Sequence, residues 1–197
     1  YCIREDLKLK KSRMRAVLNA VRLVIDNYPK GQTEMLEVPN NLENPDLGSR
    51  LVPFGRELYI EREDFMEEPP KKYFRLFPGN EVRLMGAYFV TCTGYEKDDS
   101  GQISVIHATY DPATKSGSGF EGRKVKGTIH WVLADTAKKV ECRLYENIVD
   151  EEKGKLNADG TLNLNPNSLV VLKECYVEPA LAEAGAYDSF QFVRNGF

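Results

Sequence analysis

Val21-Arg22-Leu23-Val24-Ile25-Asp26 alternates apolar and polar side chains, and a two-residue period returns in Glu57-Leu58-Tyr59-Ile60-Glu61-Arg62 and Gly127-Thr128-Ile129-His130-Trp131-Val132. Successive side chains of an extended chain point to opposite faces, so this period marks half-buried strands. Further strands are expected at Val82–Cys92, Ile103–Tyr110, Val140–Tyr145, Leu169–Tyr176 and Phe190–Arg194. Pro78-Gly79, Asp99-Ser100-Gly101, Asp159-Gly160 and Asn165-Pro166-Asn167 punctuate them as turns. Many short strands with frequent turns predict an all-β fold of the barrel or sandwich kind. Helix is expected only in two short pieces. Glu63–Lys72 is disturbed at its end by Pro69-Pro70, and Pro179–Ala184 has Pro in its first turn. Thr114–Gly122 and Val149–Leu162 read as polar loops.

The chain has 197 residues, 42% of them hydrophobic and 29% charged, enough to bury one large core or two small ones. It contains no apolar run near the roughly 20 residues of a membrane helix, which predicts a protein without membrane contact. The opening Tyr1-Cys2-Ile3-Arg4-Glu5-Asp6 has neither the form of a signal peptide nor an initiator Met, and reads as an excised piece. Cys2, Cys92, Cys142 and Cys175 are scattered without a C-x-x-C pair, and only His107 and His130 could join them. That spacing argues against zinc and for reduced cytoplasmic thiols. The net charge of −3 is wrong for a protein that coats nucleic acid indiscriminately. Its distribution is uneven, however. Arg4, Lys8, Lys10, Lys11, Arg13, Arg15, Arg22 and Lys30 face only Glu5, Asp6 and Asp26 within the first thirty positions.

No nucleophile elbow, P-loop, zinc-protease or dinucleotide fingerprint occurs, and Gly117-Ser118-Gly119 lacks the strand-turn-helix setting of a phosphate cradle. His130 lies mid-strand in an apolar pattern and reads as a structural histidine. Carboxylate pairs such as Glu67-Glu68 sit in loops as solvated charge. Recognition is better served. Single-stranded RNA is read by Arg, Lys, Gln and Asn at base edges, with aromatic faces to stack on. Lys71-Lys72-Tyr73-Phe74-Arg75 and Phe190-Gln191-Phe192-Val193-Arg194 carry that mixture.

Several stretches match one family in order: Cys2–Leu7, Val21–Tyr28, Gly48–Phe54, Glu81–Leu84, Gly122–Val132, Arg143-Leu144-Tyr145 and Phe190-Gln191-Phe192. Together they resemble the C-terminal anticodon-binding region of glutaminyl-tRNA synthetases, class I aminoacyl-tRNA synthetases, over nearly the whole chain. The resemblance implies two six-stranded antiparallel β-barrels of a kind also found in a ribosomal protein family. The near (proximal) barrel would take residues 13–68 plus 164–197 and the far (distal) barrel 69–163, with 1–12 left from the connection to the catalytic body. It implies a cytoplasmic, monomeric tRNA-binding module with no catalytic site and no cofactor of its own. ATP and Mg would belong to an N-terminal catalytic domain of the same chain. The expected partner is the anticodon loop of tRNA(Gln).

By the same resemblance, Arg13, Gln191 and Arg194 correspond to readers of the middle base, a uracil. Arg75 corresponds to a reader of the third base, a guanine, with Lys72 on the nearby backbone. Arg83 corresponds to one member of an Arg-x-Arg pair at the first base, whose second position here is Met85. Lys8 and Asn40 fall near the end of the anticodon stem, and Lys126 and Trp131 look like core and inter-barrel material. A related glutamyl-tRNA synthetase, a ribosomal-RNA-binding barrel and a protein-interaction module are the alternative readings.

Overall fold

The computed structural model describes residues 2–150 and 154–193, and all statements of structure refer to these. Strands account for 43% of the residues, and the fold is all-β. The elements in chain order are a seven-residue helix α1 (Cys2–Lys8) and fourteen strands: β1 (Arg13–Met14), β2 (Ala16–Val17), β3 (Ala20–Ile25), β4 (Thr33–Pro39), β5 (Ser49–Gly55), β6 (Glu57–Glu61), β7 (Glu81–Leu84), β8 (Phe89–Lys97), β9 (Ile103–Asp111), β10 (Thr128–Ile129), β11 (Val132–Leu133), β12 (Lys138–Tyr145), β13 (Leu169–Val177) and β14 (Gln191–Phe192).

Seven of these strands form one sheet in the order β10-β7-β8-β9-β3-β6-β11, curled into half a barrel. Its predicted members alternate as the period requires: Val21, Leu23 and Ile25 are buried while Arg22 is exposed, and Leu58 and Ile60 are fully buried. The concave side closes on Phe54, Tyr28, Tyr88, Tyr110 and Trp131, packed at ring distances of 5.0–5.3 Å. The β4–β5 hairpin contributes Leu36, Val38, Val52 and Phe54 to the same core. A second sheet, β12-β13-β2, joins the first through Tyr59 stacked on Tyr176 at 4.1 Å.

The expected near and far segments interleave in this arrangement. β3 pairs in parallel with β9, setting Leu23 against Ile106, so sheet and core run without a break from residue 21 to residue 133. The expected limit at 68/69 lies inside that core, and β12 and β13 pair across the expected limit at 163/164. The strands are mostly antiparallel, and three pairings are parallel: β1–β14, β10–β7 and β3–β9.

Local departures have local causes. Val82–Cys92 is not one strand but two, because Gly86 adopts φ +65 and turns the chain between β7 and β8. The helix expected at Glu63–Lys72 is reduced to a 3-10 turn at Arg62–Asp64, after which Phe65 bridges to Leu76. Pro179–Glu183 forms a 3-10 turn and not an α-helix. His130 and Trp131 are both buried, which breaks the alternation and separates β10 from β11. His130 Nε2 donates to the Ala16 carbonyl at 2.9 Å, the structural role expected of it.

Candidate nucleic-acid interface

α1 and the loop after β4 build one wall of a cleft of about 690 Å³. Asn41 is buried, and its Nδ2 donates to the Lys8 and Lys11 carbonyls at 2.8 and 3.0 Å while its Oδ1 accepts from the Glu43 amide at 2.9 Å. Lys8 and Glu43 are thereby held together, with Nζ 2.9 Å from Oε2. Arg13, in β1, also donates to Glu43. The two cations hold the Glu43 carboxyl below its ordinary range, chiefly through the Lys8 hydrogen bond, and Glu43 in turn raises the pKa of Lys8.

The opposite end of the chain closes on Arg13. Gln191 and Phe192 pair in parallel with Arg13 and Met14, and the Gln191 amide donates to the Ser12 carbonyl at 2.9 Å. Arg13 Nε donates to Gln191 Oε1 at 3.1 Å. A guanidinium can only donate, so this bond fixes the amide with its oxygen toward Arg13 and leaves its NH2 for another acceptor. Arg83, from β7, lines the same cleft. Its Cζ stands 4.7 Å over the Phe89 ring, and among the described residues its side chain has neither a hydrogen bond nor an ion pair.

Four predicted residues, Lys8, Arg13, Arg83 and Gln191, therefore share one cleft. Arg194 lies outside the described residues. Asn40 stands behind the cleft with its side chain committed: Nδ2 donates to the Leu47 carbonyl at 2.8 Å and Oδ1 accepts from Arg50 at 3.0 Å. It touches the site through its own carbonyl, which accepts from the Arg13 amide at 2.6 Å. Arg75 and Lys72 are not in the cleft. Arg75 is half exposed, with Nε 3.3 Å from Asp64 and Nη1 donating to the Glu63 carbonyl at 3.1 Å. Lys72 is exposed at φ +71.

Their segment nonetheless abuts the cleft wall. A Cβ on Gly127 would fall 1.9 Å from the Phe74 carbonyl, so only glycine allows residues 74 and 127 to approach this closely. The Gly127 carbonyl in turn accepts from the Arg83 amide at 2.9 Å, and Thr128 lines the cleft. Lys126 lies over the Phe74 ring at 5.3 Å, and Trp131 belongs to the core. Gly127 thus connects the segment of Lys72 and Arg75, through Phe74, to Arg83 in the cleft wall.

Two further residues line the cleft that the sequence reading did not single out as site residues. Arg50 donates to both Glu178 oxygens at 2.9 and 3.0 Å and to the Arg13 carbonyl at 2.8 Å. Arg15, one strand position beyond Met14, is 3% exposed and forms part of the cleft floor. The two-residue step from Arg13 to Arg15 is the signal that could have found it.

Among the described residues no group of three His, Cys, Asp or Glu side chains could hold a metal ion, and no helix is long and apolar enough to cross a membrane. The cleft is a set of donors and cations suited to binding acceptor-rich ligands. A profile described as "tRNA synthetases class I (E and Q), anti-codon binding domain" matches residues 12–111, and a second profile of the same description matches residues 128–197. The chain belongs to this family of anticodon-binding domains. The anticodon-binding family also supplies its similar relatives. The glutamine–tRNA ligase of Clostridium perfringens is 53% identical over 201 residues, covering 100% of this chain and 36% of the relative. That of Clostridioides difficile is 54% identical over 202 residues, again 100% and 36%. The enzyme of the same name from Nitrosomonas europaea is 49% identical over 198 residues, 100% and 35%. The chain therefore spans about a third of the length of the curated relatives it matches.

Proposed function

We propose that this anticodon-binding domain serves a glutamine-tRNA ligase by holding the anticodon loop of tRNA(Gln), acting as a monomer in the cytoplasm. The observation that carries the reading is the convergence of Lys8, Arg13, Arg83 and Gln191, drawn from four elements, on one cleft. A generic backbone binder needs cations but has little need of a glutamine amide fixed by an arginine. Arg13, Gln191 and Arg194 are the proposed readers of a middle uracil, whose two carbonyls accept from Arg and amide N–H groups. Arg75 is the proposed reader of a third-position guanine, whose O6 and N7 accept a guanidinium fork. Arg83 borders the first base, and Lys72 and Lys8 meet phosphates. Asn40 acts by positioning Arg13. In this proposal the joining of glutamine to tRNA with ATP and Mg belongs to a catalytic domain of the ligase, and the described residues carry out no covalent step.

The test is binding of the chain and of Gln191→Ala to anticodon stem-loops carrying CUG and CCG. Each lost base contact costs on the order of 1–3 kcal/mol. The wild type should prefer uracil by that margin and Gln191→Ala should lose the preference. An unchanged preference in the variant would withdraw Gln191 as a reader.

A further inference from the structure

We propose that Arg15 is a further base-reading residue of the cleft, presenting to the nucleotide beside Arg83 the guanidinium that Met85 does not provide. The inference rests on the anticodon-binding reading and adds to it a specificity residue. Arg15 is clamped from two sides. Its Cζ lies 4.3 Å over the Trp131 ring, and Nη2 donates to the Met85 carbonyl at 2.9 Å. The same carbonyl accepts from Trp131 Nε1 at 3.1 Å, so both its lone pairs are taken. Gly86, at φ +65, leaves room for this clamp, since a Cβ there would lie 3.2 Å from Arg15 Nη2 and 2.9 Å from Val38 Cγ1.

What the clamp leaves over is Nη1. It is sealed from solvent and finds no acceptor among the described residues. Nor is there a spare carboxylate for the charge: Glu178, which lies near enough to act on Arg15, is engaged by Arg50 through both oxygens. The buried guanidinium of Arg15 and the half-buried one of Arg50 thus share one carboxylate. Burial pushes the Arg15 pKa down to about 10, which still leaves it charged at neutral pH. A buried donor without a partner is costly, and proteins keep few of them without a function.

A base edge fits this donor better than a phosphate does. Arg15 lines the cleft together with Met85 and Gly86, and a flat base carries less bound water into such a lining than a hydrated tetrahedral anion does. Cytosine offers adjacent acceptors at O2 and N3, the arrangement a guanidinium matches with two N–H groups. The site that results has Arg83 on the wall and Arg15 beneath.

The experiment compares wild type, Arg15→Met and Arg15→Lys on three stem-loops at two salt concentrations: one with CUG, one with CCG and one with CUG made abasic at its first nucleotide. In the wild type, removing the first base should weaken binding by about ten-fold. Arg15→Met should bind the CUG loop several-fold more weakly, show a reduced penalty for the abasic loop, and keep its preference for a middle uracil. Adding Met85→Arg to Arg15→Met should restore affinity for CUG. If Arg15→Met does not fold, Arg15→Lys, which keeps stem and charge but loses the planar fork, carries the same comparison. An abasic penalty equal in all variants overturns the proposal. So does an equal loss on the CUG and abasic loops with a salt slope smaller by about one, the signature of a phosphate contact. A wild type that is indifferent to the middle base would remove the anticodon reading itself, and would do so before any Arg15 variant is measured.

Discussion

Glu43 sets the electrostatic character of the free cleft, because it occupies Lys8 and Arg13 with a single carboxylate while Arg83 remains unpaired. An RNA entering the cleft must compete with that carboxylate for two cations. Glu43→Gln keeps the side-chain length and removes the competitor. The variant should bind anticodon stem-loops several-fold more tightly at low salt, with a steeper fall in affinity as salt rises, read from binding titrations at several ionic strengths. The resemblance to the anticodon-binding family is what pointed to Lys8, Arg13 and Arg83, while Gln191 also stood out in the Phe190–Arg194 mixture of aromatic, amide and cation. Sequence reading missed Glu43, Asn41 and Arg15, whose parts depend on a carbonyl or carboxylate brought from a distant segment.

Among elements, the five-residue β6 and the nine-residue β9 were legible because their buried positions alternate with less buried ones, and β13 because it is rich in β-branched and apolar residues, although only Cys175 and Val177 in it are buried. The β4–β5 hairpin was not foreseen. Pro39 and Pro53 interrupt its alternation, and buried positions run together from Val52 to Gly55. The hairpin matters most to the site through Arg50, whose side chain is 13% exposed and which holds Glu178, Asn40 and the Arg13 carbonyl together. Removing one partner of a buried pair leaves the other charge uncompensated, at about 3–5 kcal/mol. Arg50→Ala should lower stability by that order in a denaturant titration. Because β1 loses its support, affinity for an anticodon loop should fall as well.

For the whole molecule, the sequence pattern could not show which strands would share a sheet. The β3–β9 pairing joins segments some eighty residues apart in parallel, setting Leu23 against Ile106 in a core that runs from Val21 to Leu133. Glu61 ties this sheet to the chain leading out of β2. Burial by itself would raise its carboxyl pKa, but hydrogen bonds from His130 and from the Leu18 and Asn19 amides, both at 2.9 Å, outweigh burial and hold it below the ordinary 4.5. A carboxylate depressed in the folded state stabilises fully above its unfolded pKa, and loses that contribution as pH falls through the folded value. The melting temperature should therefore decline on acidification below about pH 5. Glu61→Gln, less stable at neutral pH, should show a shallower decline over the same window.

The claim that binds these scales is that the anticodon bases occupy the cleft between β1, β14 and β7. The direct measurement is photocrosslinking of the chain to a stem-loop with 4-thiouridine at the middle anticodon position, followed by peptide mapping. Crosslinks should fall on the peptides containing Arg13 and Gln191, and should be lost when unlabelled CUG loop competes. Crosslinks confined to β12 and β13, competed equally by any RNA, would contradict the account.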